Sequence, residues 1–553
     1  MRPRAAAGPG RGIGRRRATR VLAVASALLL VSCTAASTGA GVPGTGSAPP
    51  GTEAARPTGG TAPGPGGTTT GAPGSAYRSA PCPFPNGPTV DPVRVTCGRL
   101  AVAESRERPG GRTIELAVAR LSLGDGPAAA EPLVYLEGGP GGSALAELEL
   151  WTDPVSPLLK DRDVILVDQR GTGYSTPRLT CDPELADPAS DALTDAELNL
   201  ACHDRLTRSG IDLDAYDTVT SAHDVEDLRR ALGIDHWHMM GVSYGTRLAL
   251  EVMRQHPDGI RSVVLDSVYP PGAKGLDDQP ANGWAAMKSL LDDCRAEAAC
   301  NRAYPDLETR FLATIDRLDR DPVTIVRPVD DTGEQEEDVQ LDGRELVRAL
   351  FDALYDTAVL PDVPKALDAA ARGDLQRADD LLAGVDVPEP AGGASAPPSG
   401  PAPGAEPQAD GPPSDTDGLF LTIACAEDAP EASAGSVTQA ASAVPEPVRR
   451  ALVADVIDQL QSCTSWAVRP RHLDPVRSSI PTLLLAGSVD PITPPRWART
   501  AAETLPNATV VEVHGAGHGA IDAGPCVQDA IVAFLAATTP PAPACSVGRP
   551  FST

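Results

Sequence analysis

The segment GVSYG (241–245) places Ser243 between two glycines, where a serine hydroxyl could act as a nucleophile. An apolar run (237–240) precedes it, and Leu248 and Val252 mark a helical pattern after it. A sharp turn from strand to helix makes the hydroxyl project, and the glycines let both elements approach without a Cβ clash. Alone, the pattern is weak, because a small serine in a tight turn looks the same. The flanking strand and helix favour the nucleophile.

A nucleophilic serine needs an acid and a base, which in this type of site follow it along the chain as Asp and then His. Asp490 ends a late apolar run and begins a proline-rich loop, and His514 and His518 follow the last apolar run. We expect His518 to be the base, because a glycine-flanked loop can reach the carboxyl edge of a sheet, whereas His514 continues the strand. The predicted triad is therefore Ser243, Asp490 and His518. The histidines elsewhere in the chain are expected to be structural.

A glycine-rich segment, EGGPGGSA (137–144), comes directly after an earlier apolar run. Its backbone N–H groups could stabilise a developing oxyanion, and the predicted donors are those of Gly138, Gly139 and Tyr244. A plain Gly-Pro turn is the alternative interpretation. Its position after an early strand favours the oxyanion site.

The segment DQRGTGYS (168–175) follows the next apolar run. We interpret Asp168 and Arg170 as a structural ion pair and turn scaffold, because an acid here precedes the nucleophile. The chain has no H-E-x-x-H pair, so neither a metal nor a cofactor is predicted.

Short apolar runs alternate with helical patterns, which predicts an α/β fold with a mostly parallel central sheet flanked by helices. The helix expected over 220–234 has Thr220 or Ser221 as its cap. Residues 272–470 break this rhythm with helical segments such as 343–359, and we interpret them as a large helical cap insertion. The predicted strands lie at 132–139, 163–171, 236–243, 260–267, 480–490 and 508–519.

The N-terminus has a cationic stretch followed by an apolar one (21–31) that is too short to span a bilayer stably. It ends in LVSC, which resembles a lipobox with Cys33 as the lipidated residue; an ordinary signal peptide cut near Ala36 is the alternative. Both predict an exported protein, lipid-anchored to the outer face of the cell membrane or secreted. The net charge of −27 argues against nucleic-acid binding.

The ten cysteines beyond Cys33 form an even set without a C-x-x-C pair, which in an exported chain predicts disulfides. Their number leaves the connectivity open, and proximity in sequence suggests five pairs: Cys82–Cys97, Cys181–Cys202, Cys294–Cys300, Cys425–Cys463 and Cys526–Cys545.

The composition divides the chain into five predicted segments. Two tracts, 34–75 and 386–418, are rich in Gly, Pro, Ser and Thr or Ala and are expected to be disordered. The segments are a lipoprotein signal peptide (1–33), a tether (34–75), a first core part (76–271), the cap (272–470) with the loop 386–418, and a last core part (471–553).

Together, the motifs GGPGGS, DQRGTGYS, GVSYG, GSVDPITP and GHG resemble the proline iminopeptidase branch of the α/β-hydrolases. With the export signal, the cysteines and the large cap, the chain is most similar to secreted and lipid-anchored tripeptidyl aminopeptidases, over residues 78–550. The resemblance implies an α/β-hydrolase fold and the triad named above. The branch often has His before Gly-Gly-Pro-Gly, where this chain has Glu137.

The expected function is that of a monomeric serine exopeptidase acting on the N-termini of peptides. Such an enzyme must bind a substrate ammonium with a desolvated carboxylate, and Glu427 and Asp428 are the candidates, with ordinary surface acids as the alternative. One alternative function is that of a carboxylesterase or lipase with the same triad. A second alternative, which is not an enzyme, is a binding protein with the hydrolase fold. An intact triad in the expected order argues against the binding protein.

Overall fold

The computed structural model describes residues 76–84, 89–90, 92–124, 128–152, 155–182, 193–328, 336–384, 416–538, 545–547 and 551–553. The predicted signal peptide with Cys33, the tether 34–75 and most of the loop 386–418 lie outside the described residues. Among the helices of the described part, none is long and apolar enough to cross a membrane.

The structure contains the following strands: β1 Ala76–Ser79, β2 Thr89–Val90, β3 Val93–Ala103, β4 Thr113–Leu123, β5 Leu133–Leu136, β6 Val164–Val167, β7 Trp237–Val242, β8 Ile260–Asp266, β9 Val323–Pro328, β10 Glu336–Leu341, β11 Thr482–Gly487 and β12 Ala508–Val513. Its α-helices are α1 Glu149–Thr152, α2 Asp195–Arg208, α3 Thr218–Ala231, α4 Tyr244–Gln255, α5 Gly275–Ala296, α6 Ala298–Ala303, α7 Leu307–Arg320, α8 Gly343–Ala353, α9 Val363–Arg372, α10 Leu375–Leu382, α11 Asp417–Ile423, α12 Ala434–Ala440, α13 Glu446–Ser465, α14 Pro495–Ala502 and α15 Pro525–Ala537.

The central sheet has the strand order β1-β3-β4-β6-β5-β7-β8-β11-β12, with β2 paired to β3. The strands from β6 to β12 along this order run parallel, as predicted, and β1 to β4 form an antiparallel extension. Apolar side chains of α3, α4 and α14 cover one face, and those of α15 cover the other. Because both faces are covered, β5, β6 and β11 are buried along their whole length.

The helices from α5 to α13, apart from α11, pack around an apolar cluster of their own, whose members lie between Leu276 and Val456 apart from Val489. Val489 stands next to Asp490, so the cluster reaches the loop that carries the predicted acid. The chain therefore returns from a separate helical layer into β11 and the last part of the sheet.

Two of the predicted boundaries differ from the structure for reasons that the contacts explain. The helix α3 begins at Thr218 rather than 220, because the Asp217 side chain accepts the N–H of Thr220 and caps it earlier. The predicted disordered loop ends at 418, yet Thr416 is fully buried and α11 begins at Asp417. A Cβ on Gly418 would lie 2.6 Å from the carbonyl oxygen of Leu179, so this glycine serves close packing rather than flexibility.

Five disulfides join the predicted pairs, which confirms the pairing inferred from proximity. Cys425–Cys463 is the one nearest to the predicted acids, since Cys425 belongs to a π-helical turn, Ala424–Asp428, that contains Glu427 and Asp428. The disulfide ties this turn to α13. A π-helical turn inside a helical segment is often found at a functional site.

Candidate active site

Ser243 lies at the turn between β7 and α4 with φ 56° and ψ −124°, a conformation that is rare for a residue with a side chain. Its N–H donates to the carbonyl of Asp266 at 2.9 Å, which holds the turn against β8. A Cβ on Gly241 would overlap the backbone of Gly245, and a Cβ on Gly245 would overlap the carbonyl of Leu136. Both glycines of the pattern are therefore required by close approach of the backbone.

His518 and Asp490 form a buried pair at the carboxyl ends of the strands. The Nδ1 atom of His518 lies 2.9 Å from Oδ2 of Asp490, and both side chains are almost completely buried. The other Asp490 oxygen accepts the N–H groups of Ile492 and Thr493 at 3.0 and 2.8 Å. The carboxylate is thus fixed in position and directed at one nitrogen of the imidazole ring.

The Nε2 atom of His518 is buried and has no hydrogen-bond partner in the described part of the chain. A buried polar nitrogen without a partner is costly and usually has a functional reason. The ring is covered by Tyr355, whose centroid lies 4.9 Å from that of the imidazole in an edge-to-face arrangement. This nitrogen is the one that a general base would use to take a proton.

The loop after His518 is fastened to the end of β8. The two carboxylate oxygens of Asp266 accept the N–H groups of Ala520 and Ile521 at 2.9 and 2.8 Å, and the Ser267 hydroxyl accepts that of Gly519 at 2.8 Å.

The pKa of His518 is raised above its usual value. Burial opposes its protonation, but the charge and hydrogen bond of Asp490, together with the charges of Asp266 and Glu137, favour the protonated form more strongly.

The glycine-rich loop follows β5 and touches the nucleophile, since a Cβ on Gly138 would lie 2.9 Å from Cβ of Ser243. The N–H of Gly138 donates to the Glu137 carboxylate at 2.7 Å, so this predicted oxyanion donor already has an acceptor. Gly139 has φ 106°, and Tyr244 is the first residue of α4, whose N–H has no intrahelical acceptor. Gly139 and Tyr244 therefore remain as the candidate donors.

Glu427 and Asp428 lie together against α3 and α4. Glu427 accepts the N–H and hydroxyl of Thr218 at 2.9 and 2.8 Å, and Asp428 accepts the hydroxyl of Tyr269 at 2.7 Å. Arg247 approaches both acids, at 3.4 Å from Glu427 and 3.0 Å from Asp428. The two carboxyl groups thus share one guanidinium.

The same two acids line a small depression together with Asp277, Glu431 and Lys274. Burial raises the pKa of Glu427 to about 7, although Arg247 and Thr218 favour its charged form. One arginine cannot neutralise two ionised carboxylates, so the pair can accept one further positive charge when both are ionised.

Asp168 and Arg170 do not pair with each other, so the predicted ion pair is wrong. Arg170 is fully buried and binds both oxygens of Asp224 on α3, at 2.7 and 2.8 Å. Asp168 instead accepts hydrogen bonds from the loop after β5 and from Tyr174. The two side chains therefore contact different elements.

His514, the other histidine of the last predicted strand and loop, is not part of the buried His518–Asp490 pair. Its side chain is 66% exposed.

Several residues that contact the site are not identified by the sequence analysis, among them Thr493, Asp266 and Thr416. Thr493 donates its hydroxyl to Asp490 at 2.6 Å and lies 3.1 Å from Nδ1 of His518. Asp266 holds the histidine loop, and Thr416 donates its N–H and hydroxyl to the carbonyl of Gly141 at 3.1 and 2.9 Å. Of these three residues, only Thr493 could have been identified from the sequence, because it lies three residues after the predicted acid, in a turn where side chains bind nearby groups.

Two family models match the chain. Residues 131–303 match the model described as alpha/beta hydrolase fold, and residues 450–546 match that of TAP-like protein. The tripeptidyl aminopeptidase of Streptomyces coelicolor is 31% identical over 199 residues, which cover 32% of this chain and 36% of that protein. The serine protease Hip1 of Mycobacterium tuberculosis is 28% identical over 240 residues, or 40% and 45% of the two chains. The proline iminopeptidase of Arabidopsis thaliana is 30% identical over 196 residues, or 33% and 42%.

These relatives are matched over less than half of their own length. The matches confirm the resemblance to proline iminopeptidases and tripeptidyl aminopeptidases. The predicted fold class is also confirmed, by the first family model and by the order and direction of the strands.

Proposed function

Because the chain has the α/β-hydrolase fold and is similar to tripeptidyl aminopeptidases and proline iminopeptidases, we propose that it is an exported serine exopeptidase that acts on peptide N-termini. The observation that carries the proposal is the buried His518–Asp490 pair, whose outer nitrogen has no partner in the described residues. The triad residues are Ser243, His518 and Asp490. The five disulfides agree with export to an oxidising compartment.

In the proposed reaction, Nε2 of His518 takes the proton of the Ser243 hydroxyl while the serine oxygen attacks the scissile carbonyl. Asp490 holds the ring by Nδ1 and stabilises the imidazolium. The oxyanion accepts the N–H groups of Gly139 and Tyr244. His518 then protonates the leaving amine. In the second half of the reaction His518 takes a proton from water, and the water oxygen attacks the acyl carbonyl. The bond to Ser243 breaks, the serine oxygen recovers the proton, and the acyl group is released.

The acid pair supports a substrate with a free N-terminus. With both carboxyl groups ionised, Glu427, Asp428 and Arg247 carry one excess negative charge, and an incoming ammonium neutralises it. A neutral ester or a blocked peptide offers no such charge. This favours the exopeptidase over a carboxylesterase or lipase on the same scaffold.

Glu427→Gln or Asp428→Asn should reduce the preference for free over N-acetylated peptides. Each change leaves Arg247 paired with one carboxylate and removes the excess charge. Loss of a buried charge partner costs about 2–5 kcal/mol, which corresponds to roughly 30- to 5000-fold in kcat/KM. The measurement is kcat/KM for a fluorogenic peptide amide with a free or acetylated N-terminus and for a small activated ester.

Glu431→Gln is the matched control, because Glu431 lines the same depression but is exposed. It should leave the preference unchanged, and all three variants should hydrolyse the ester normally. In the wild type, the preference should increase as the pH rises through about 7, because Glu427 then loses its proton. A preference that survives in both Glu427→Gln and Asp428→Asn would exclude these acids from substrate binding.

A further inference from the structure

The segment DQRGTGYS, which follows β6, supplies no side chain to the reaction proposed above. Its first two residues are nevertheless buried next to the site, with Asp168 fully buried and Gln169 only 5% exposed. Both side chains bind the glycine-rich loop that follows β5, and they bind it at opposite ends.

Gln169 holds the beginning of this loop. Its side-chain amide donates to the carbonyl oxygen of Glu137 at 2.8 Å, directly before Gly138. The backbone of Gln169 is itself fixed, because its carbonyl accepts both the N–H and the hydroxyl of Thr172 at 3.1 Å. The donor is therefore presented from a rigid turn.

Asp168 holds the end of the loop. One carboxylate oxygen accepts the hydroxyl of Ser143 at 2.9 Å and the N–H of Leu145 at 3.0 Å, and the other accepts the N–H of Tyr174 at 2.7 Å. A Cβ on Gly173 would overlap both the Asp168 carboxylate and the Ser143 hydroxyl, so the motif needs glycine there. The buried Asp168 carboxylate thus accepts three hydrogen bonds.

Between these two anchors the loop contains four glycines, at 138, 139, 141 and 142. Glycine has the largest backbone freedom, so such a loop keeps one conformation only when contacts outside it hold it. A misplacement of about 1 Å at a catalytic group can cost on the order of 100-fold in rate. The anchors act on the part of the site where that precision is needed.

We propose that Asp168 and Gln169 are positioning residues that hold the loop 137–145 so that its backbone N–H groups meet the oxyanion of the transition state. The proposal rests on the function proposed above. It assigns a role in the reaction to the segment DQRGTGYS, which the sequence had suggested to be only a scaffold. The expected signature is a loss of kcat at nearly constant KM, because the oxyanion forms only after the substrate has bound.

The main test is Gln169→Glu, which keeps the shape of the side chain but replaces the donor by an acceptor facing the Glu137 carbonyl. We expect kcat to fall about 10- to 100-fold with KM within about threefold, both for a peptide amide and for a small ester. Ser143→Ala removes one bond to Asp168 with little risk to folding and should lower kcat by a smaller factor, about three- to tenfold.

The matched control is Ser262→Ala, which removes a buried side-chain hydrogen bond of 2.8 Å between Ser262 and His238 in the same sheet. Its kcat should stay within about twofold of the wild type. A second readout is binding of a peptide trifluoromethyl ketone, whose adduct places an anionic oxygen in the oxyanion hole. Its affinity should fall in Gln169→Glu by the same factor as kcat, while affinity for the cleaved product peptide stays constant.

An unchanged kcat in Gln169→Glu and Ser143→Ala would overturn the proposal, and so would a loss of kcat that Ser262→Ala reproduces. Labelling of Ser243 in the wild type by a fluorophosphonate separates this failure from failure of the proposed function. A labelled wild type with fully active Gln169→Glu contradicts only the positioning role. A wild type that is neither labelled nor active contradicts the proposed function and this proposal with it.

Discussion

Replacement of Ser243 by alanine should abolish peptide turnover, with kcat lower by on the order of 10⁴-fold or more. In the proposed reaction the hydroxyl oxygen attacks the scissile carbonyl, so its removal leaves no atom at this position to form the acyl intermediate. Folding should be unaffected, because the change removes one oxygen and keeps Cβ in the same turn. The measurements are kcat with a fluorogenic peptide amide and the melting temperature of the purified variant.

Ser262→Ala provides the control for this experiment, since it also removes one buried serine hydroxyl from the core. It should melt near the temperature of the wild type or slightly below and remain active. If Ser243→Ala kept kcat within about tenfold of the wild type, Ser243 would not be the nucleophile.

Replacement of His518 by alanine should cause a loss of similar size, because the members of a triad act as a unit. Without the imidazole, the proposed base for the serine proton is missing, and Asp490 loses its partner at 2.9 Å. His514→Ala is the matched control. It removes the same type of side chain from the same segment, but His514 is exposed and its nearest charged partner is Asp293 at 3.8 Å.

The measurement is kcat for both histidine variants on the same peptide amide, together with their rates of labelling by a fluorophosphonate. His514→Ala should match the wild type in both. The opposite result, an inactive His514→Ala beside an active His518→Ala, would show that the base had been assigned to the wrong histidine.

The elements that carry the site could be predicted because their signals are local. The segment 241–245 needs glycine, serine and glycine for a turn that its own backbone defines, and Asp490 and His518 each follow an apolar run. Parallel strands end at the same edge of a sheet, so residues after successive strands meet there. The disulfide pairs could also be predicted, because each pair joins cysteines that are close in sequence.

The contacts that hold the site could not be predicted, because they join residues distant in sequence. Asp266 binds amides more than 250 positions away, and Thr416, which lies inside the predicted insertion, binds the carbonyl of Gly141 from 275 positions away. No local pattern distinguishes a carboxylate that accepts backbone N–H groups from one that pairs with a neighbouring arginine. For this reason the sequence predicts an ion pair between Asp168 and Arg170, although in the structure each binds a different element.

The most direct test of the proposed function compares two short peptides of the same sequence, one with a free and one with an acetylated N-terminus. Purified wild-type protein is incubated with each, and the products are identified by mass spectrometry. We expect N-terminal fragments to be released from the free peptide and little or no cleavage of the acetylated one, because in the proposed function Glu427 and Asp428 bind the ammonium of the substrate. Equal cleavage of both peptides would contradict the proposal that the protein is an aminopeptidase, and would favour an endopeptidase or an esterase with the same fold.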